Sequence, residues 1–290
     1  MAGLSPGYRF TDLAVQLGDL TFGVVDDAGV HWHCATLDGW DSPDVRAEMQ
    51  QREGDHGAWA PPVYLNERVI ALAGKAFAPS AAALDGAIEQ LSTAASLTDT
   101  TLLVGETVPK MATVRRSGKV LAQRLTGTAM EWSVQVTAAD PRRYAPDFEQ
   151  DNTGLPNSTG GRPTPYTVPY TLSATTVSGQ VDAYNAGNID TRPTLTISGP
   201  VSQPSVFGQM PDGSVRMLAC SFDLGPDDVL VIDTDAHSAT LNGNVSRRRF
   251  VSAPQGWPTI PAKGSVSYQF RAATYSSTAL LNVRWRSAWM

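Results

Sequence analysis

Between Ala129 and Ala138 the chain reads "AMEWSVQVTA", with Met130, Trp132, Val134 and Val136 alternating with polar residues. That period of two marks a strand with one buried face. Similar runs fill the first half: Leu13–Val25, Glu67–Ala78 ("ERVIALAGKAFA"), Thr101–Thr107 and Lys110–Gly127. Inside the last of these, Arg115-Arg116-Ser117-Gly118 reads as a hairpin turn, with glycine available for a positive φ. The period changes to 3.6 once, over Pro79–Ser96, where Leu84, Ile88 and Leu91 fall on one face and Ser80 stands ready to cap the start. A single helix near 80–96 is predicted, weakened by Gly86.

From Trp40 to Pro62 the pattern fails: the segment is polar, rich in Gly and Pro, and shows few strand signals. "GDHG" (54–57) reads as a turn. A second break covers 150–169, "QDNTGLPNSTGGRPTPYTVP", with the composition of a linker. Strand-like runs then return at Pro193–Gly199, Val215–Phe222, Asp228–Thr234, Ala239–Gly243, Ser265–Ala272 and Ala279–Trp289, separated by turns such as Asn242-Gly243. Short strands at this spacing predict a β-sandwich. The expected organisation is mainly β: a module at 1–149 with one helix, a linker at 150–169, and a sandwich at 170–290.

Charge supports two modules. Residues 1–149 carry 12 basic and 19 acidic side chains, a formal −7, whereas 150–290 carry 10 and 9, a formal +1, with no glutamate. The acidic half lacks the clustered Lys and Arg that phosphate contacts require. Cys34 and Cys220 lie far apart, which argues against a disulfide framework. No apolar run approaches the roughly 20 residues needed to span a bilayer. The N-terminus lacks a basic n-region followed by an apolar core, so no signal peptide is expected.

Candidate chemistry is sparse. His31 and His33 share one strand face, with Cys34 on the other, but no third metal ligand at suitable spacing accompanies them. Asp233, Asp235 and His237 could hold a cation or exchange protons, yet they also read as a polar turn between two strands. No nucleophile elbow, zinc-protease helix or phosphate loop occurs. Neither a catalytic residue, a metal nor a cofactor is expected. Arg247-Arg248-Arg249, taken as strand, would face alternately and form a solvated edge. Trp257, Trp285 and Trp289 are candidate sugar-stacking platforms.

The order of motifs resembles a known family. Gly39, Pro43, Val45 and Arg46, a loop with Gly57, and the strand bearing Arg68, Ile70, Leu72 and Gly74 precede the single helix. After it come a strand ending in Asp140, Pro141, Arg142, Arg143 and Tyr144, and a terminal "LNVRWRSAW". This series is similar to the distal tail proteins of long-tailed, non-contractile bacteriophages. The resemblance implies a structural virion protein, not an enzyme. It would form a ring, usually a hexamer, at the tail tip, assembled in the host cytoplasm. Its partners would be further copies, the tail tube protein, a tail-hub protein, and the tape-measure and receptor-binding proteins; DNA would pass only through the lumen, and no part would insert in a membrane. The first module would make the ring, with Trp40–Pro62 as its arm, and a galectin-like or carbohydrate-module-like sandwich would follow. Trp40, Pro43, Arg46, Arg68, Asp140, Arg142, Arg143 and Tyr144 are the expected assembly residues. The alternative is a carbohydrate-binding adhesion module acting through the sandwich.

Overall fold

The computed structural model describes residues 14–159 and 175–290. The chain divides into two compact units, one ending at Pro146 and one spanning Asp147–Trp289.

In the first unit the alternating runs become strands β1 (Val15–Leu17), β2 (Leu20–Phe22), β3 (His31–Asp38), β4 (Arg68–Phe77), β5 (Thr100–Val104), β6 (Lys110–Arg116), β7 (Leu121–Arg124) and β8 (Ala129–Ala138). Antiparallel pairing runs β2-β1-β5-β6-β8-β4-β3. Gly23 N–H donates to Trp32 O (2.8 Å) and Trp32 N–H to Val24 O (3.1 Å), joining β3 back to the end of β2. The strand path therefore closes on itself, which leaves few backbone groups at an open edge.

The buried faces of these strands meet in one core. Phe22 stacks on Trp132 at 4.4 Å between ring centroids, and Trp32 meets both rings edge-on, at 5.9 and 6.2 Å. Helix α1 (Ala81–Ala94) adds Leu84, Ala87, Leu91 and Ala94 to the same core, while Ile88 is half-buried at its margin. Ser80 Oγ accepts from Ala83 N–H at 3.2 Å, as an N-cap should.

The long β4–β8 ladder pairs Trp132 with Gly74, and β3 crosses close to that glycine. A Cβ on Gly74 would stand 1.9 Å from His33 O. Gly74→Ala must push β3 away from β4, and is expected to cost about 1–3 kcal/mol; urea unfolding of the full chain measures it, and a loss below 0.5 kcal/mol would mean the strands yield without penalty.

The expected hairpin at Arg115–Gly118 is not one. Arg115 and Arg116 pair with Thr137 and Val136, and Leu121–Arg124 then pair with Ser133–Met130, so both segments run along the same side of β8. Ser117 and Gly118 N–H both donate to Gln135 O, at 3.0 and 3.3 Å. Extra residues opposite one acceptor make a bulge, which uses the same residue types as a turn. The hairpin lies later, where Leu125 N–H donates to Ala129 O at 2.9 Å.

The second unit is a two-sheet sandwich. Its strands are β9 (Glu149–Gly154), β10 (Gln180–Asn185), β11 (Thr194–Ser198), β12 (Ser205–Gln209), β13 (Val215–Cys220), β14 (Val229–Asp233), β15 (Ser238–Leu241), β16 (Gly264–Arg271) and β17 (Leu280–Trp285). One antiparallel sheet has the order β9-β17-β11-β14-β15, extended by Val245–Ser246; the other has β10-β16-β12-β13, extended by Val251–Ser252. Leu195, Ile197, Ile232 and Val283 on one inner face meet Val206, Val266, Tyr268 and Phe270 on the other. The composition of 150–169 suggested a linker, but its first residues belong to β9, which pairs through six residues with β17, and Asn157–Thr159 pairs with Thr175–Val177. An edge strand whose polar residues stay exposed, with Thr153 alone buried, needs no apolar pattern, so composition misplaced this boundary. Residues 160–169 lie outside the described residues.

Candidate assembly surface and its anchor

Between β3 and β4 the chain leaves the core and returns as a ribbon. Val45–Arg46 pairs with Tyr64–Leu65, and Gln50–Gln51 with Ala58–Trp59. At the tip Arg52 N–H donates to Gly57 O at 3.2 Å, and Gly54 and Gly57 take positive φ angles. From Asp44 to Glu53 an extended chain reaches about 30 Å. Its side chains are apolar to an unusual degree for a solvated ribbon: Val45, Met49, Trp59, Val63 and Tyr64 are all exposed, Trp59 at 63%. Arg52 lies over the Trp59 ring at 4.5 Å and Arg46 over Tyr64 at 5.9 Å. None of these residues belongs to the core of the first unit. A two-stranded ribbon in water is marginal by itself, and this one leaves Val45, Met49, Trp59, Val63 and Tyr64 open to solvent.

The root of this arm is fastened by residues from four places in the chain. Gly39 turns the chain at φ +79°, where any Cβ would lie 2.0 Å from Val69 O. Trp40 follows and is buried; its Nε1–H donates to Glu106 Oε1 at 2.5 Å. Arg68, at the start of β4, is fully buried. Its Nε donates to Pro141 O at 2.9 Å, and Nη1 to Gly39 O at 3.3 Å and to Trp40 O. Burial and the neighbouring Arg143 guanidinium push its pKa down to about 10, so it stays charged at neutral pH. Its bonds to backbone carbonyls replace the water that burial removes.

The segment Asp140–Tyr144 closes the cluster. Asp140 Oδ1 accepts from Arg142 N–H at 3.1 Å, and Tyr144 O–H donates to Asp140 Oδ2 at 2.5 Å. Burial first, and the Asp140 carboxylate next, hold the Tyr144 phenol well above its ordinary range, so it remains a donor. Arg143 lies over the Trp40 ring at 5.4 Å and 3.7 Å from Glu106 Oε1, which also pairs with Lys110.

Six of the eight residues singled out from the sequence thus converge: Trp40, Arg68, Asp140, Arg142, Arg143 and Tyr144. They brace the arm from within, with Trp40 and Arg68 buried, instead of offering an exposed face. Pro43 is buried, and Arg46 sits exposed on the ribbon. Glu106 and Lys110 carry no sequence signal of this role, because Glu106 stands 66 residues from Trp40 and no local pattern links them. Met49, Trp59, Val63 and Tyr64 have one sequence signal, that they are apolar residues inside a Gly- and Pro-rich stretch.

The other candidates take bland positions. His31 stacks on Phe77 at 6.5 Å. Asp233 Oδ1 accepts from Asp235 and Ala236 N–H, forming a turn, and Asp235 pairs with Arg192 at 2.5 Å. Among the described residues no group of three His, Cys, Asp or Glu could hold a metal ion. Arg248 and Arg249 belong to a short 3-10 helix, Arg248–Phe250, not to a strand, with Arg247 just before it; the three guanidinium groups lie against Phe222, Phe250 and Trp257 instead of alternating along an edge. Trp285 is in the sandwich core, its Nε1–H bonded to Tyr184 O at 2.8 Å, so it cannot be a sugar platform. Trp257 stacks on His237 at 4.9 Å.

No protein-family model matches the chain, and no curated protein is similar to it in sequence. Solved structures share its fold. The crystal structure of the SPP1 Dit (gp 19.1) protein, described as a paradigm of the hub adsorption apparatus in phages infecting Gram-positive hosts, matches with a TM-score of 0.63 at 13% identity, over 96% of this chain and 99% of that one. Chains of the phage P2 baseplate in its activated conformation, with calcium or strontium, match with TM-scores of 0.50 and 0.52 at 11% identity, over 94% of this chain and 97% of theirs. The chain therefore has the two-module, mainly β fold of a Dit protein, as the order of its motifs suggested.

Proposed function

We propose that this chain is a structural protein of a phage tail tip, and that six copies close into a ring through the first module and its arm. The observation that carries the reading is the braced ribbon with Val45, Met49, Trp59, Val63 and Tyr64 exposed. A surface on an arm that meets a different surface on the next copy is a heterologous contact, and such contacts close into rings when the rotation permits. The full-length likeness to a hub protein supports the same assignment. On this reading the ring joins the tail tube protein to the tail-hub and receptor-binding proteins, with the tape-measure protein and then DNA passing through its lumen.

Charge favours passage over capture. Six first halves would carry a formal charge of roughly −42, and like charges within a Debye length of about 8–10 Å repel. DNA would slide through without a grip. No step of this function needs a cofactor or a catalytic group.

Negative-stain microscopy and mass photometry of the purified chain at high concentration, alone and with its tail neighbours, test the reading. Closed six-membered rings are expected. A protein that stays monomeric under both conditions would overturn it.

A further inference from the structure

The run Arg247-Arg248-Arg249 belongs to the sandwich and takes no part in the proposed ring contact. Its backbone is pinned on both sides. Arg247 N–H donates to Ala239 O at 2.7 Å, Phe250 N–H to Arg247 O at 2.9 Å, and Ser221 N–H to Phe250 O at 3.0 Å. Aromatic rings pin the side chains. Arg247 and Arg249 both lie against Phe250, at 5.8 and 4.5 Å from its centroid, so the two charges stand within roughly a Debye length, about 10 Å. Arg247 also meets Phe222 at 5.8 Å, and Arg248 lies over Trp257 at 4.9 Å. Phe222 and Phe250 meet edge-on at 6.0 Å, which joins the two rings into one support.

Like charges held this close repel, and no protein group offsets them fully. Among the described residues no carboxylate forms a salt bridge with any of the three arginines. Hydrogen bonds from Asn242 Nδ2 and Gly225 N–H, and after them the charge of Arg247, hold the Asp228 carboxyl below its ordinary range. Both Asp228 oxygens are thus taken, each at 2.8 Å. Arg247 Nε is buried without a hydrogen-bond partner. Arg248 and Arg249 are exposed, and Arg248 gives one bond, to Val251 O at 3.0 Å.

We infer that this turn is a docking point for a short acidic segment of a partner protein. A guanidinium whose face rests on an aromatic ring still presents its edge, and that edge matches a carboxylate through two parallel N–H···O bonds. Arginines already stiffened by ring contacts lose little freedom when a partner arrives. Incoming carboxylates would also relieve the repulsion among the three charges. A nucleic acid fits less well, because its phosphates need a rail of cations. The remainder of the sandwich supplies no such rail, since residues 150–290 sum to a formal +1. Three residues of 3-10 helix rise only about 6 Å, the span of about two residues of extended peptide.

Fluorescence anisotropy of labelled hexaglutamate against the full chain tests the inference. Saturable binding is expected, and it should weaken as salt rises. Arg249→Ala should weaken it about tenfold, and Arg249→Glu should abolish it. Arg249 is exposed, and circular dichroism checks that the fold is unchanged. Arg284→Ala removes an exposed guanidinium of the same sandwich, stacked on Phe148 at 3.4 Å, and should leave binding unchanged. Absence of saturable binding, equal affinity in Arg249→Ala, an equal loss in Arg284→Ala, or tighter binding of hexathymidylate than of hexaglutamate would overturn the assignment. The inference does not rest on ring formation, since anisotropy reads the turn and mass photometry reads the ring.

Discussion

Trp59→Ala is expected to take the proposed ring apart while leaving the subunit folded. Trp59 touches nothing in the core and is 63% exposed, so its loss should change the stability of the isolated chain by no more than about 0.5 kcal/mol. In an assembled ring the same side chain, stiffened by Arg52 at 4.5 Å, has the makings of an interface hot spot. Tryptophan and arginine dominate such positions, where truncation costs about 2–4 kcal/mol, equivalent to a roughly 30- to 1000-fold weaker association. Tyr64→Ala should act in the same direction. Mass photometry across a dilution series would report the shift from rings to single subunits, and circular dichroism would report an unchanged fold. Rings that survive dilution equally well in the variant would show that the ribbon is not the contact.

Arg68→Met should have the opposite profile: a damaged fold first, and assembly only as a consequence. Methionine fills similar space but cannot donate, so the carbonyls of Trp40 and Pro141 would lose their buried partner. Breaking a buried charged network of this kind costs about 3–5 kcal/mol, a large share of the 5–15 kcal/mol typical of a whole domain. Lysine should not rescue it, because a point charge cannot reproduce a fork that serves carbonyls in two directions. Arg46→Ala, on the exposed ribbon, should leave stability nearly unchanged. Hydrogen exchange followed by mass spectrometry gives the local answer: peptides covering Arg68–Phe77 and the arm root should lose protection in Arg68→Met. A global loss below about 1 kcal/mol would mean that the guanidinium is an ornament of the cluster, not its centre.

These two outcomes separate what was legible in the sequence from what was not. The helix could be read because Ser80, Leu84 and Leu91 carry its cap and its face within a dozen residues. β4 and β8 could be read because ten-residue alternations leave one register that buries Ile70, Leu72, Trp132 and Val134 together. The arm showed itself only as a gap in the pattern, and its exposed aromatics had no period to betray them. Arg68 was recognisable as part of a motif, but its burial depends on Pro141, 73 residues away, and nothing local announces that. The bulge at Ser117-Gly118 reads as a hairpin in the sequence because glycine beside serine serves both, and only the partner strand decides.

The fastening at Trp40 also has a mechanical meaning. Tension on the arm enters the subunit at Gly39-Trp40, and Arg68 hands it to β4, which is flanked by β8 on one side and β3 on the other. The load then runs along the strands, so that many ladder bonds must fail together instead of unzipping one at a time. Arg68 also ties Pro141 to the same strand, so the last segment of the first unit and the root of its arm share one mooring. A neighbour pulling on the ribbon would strain the whole sheet before it could peel any single strand away.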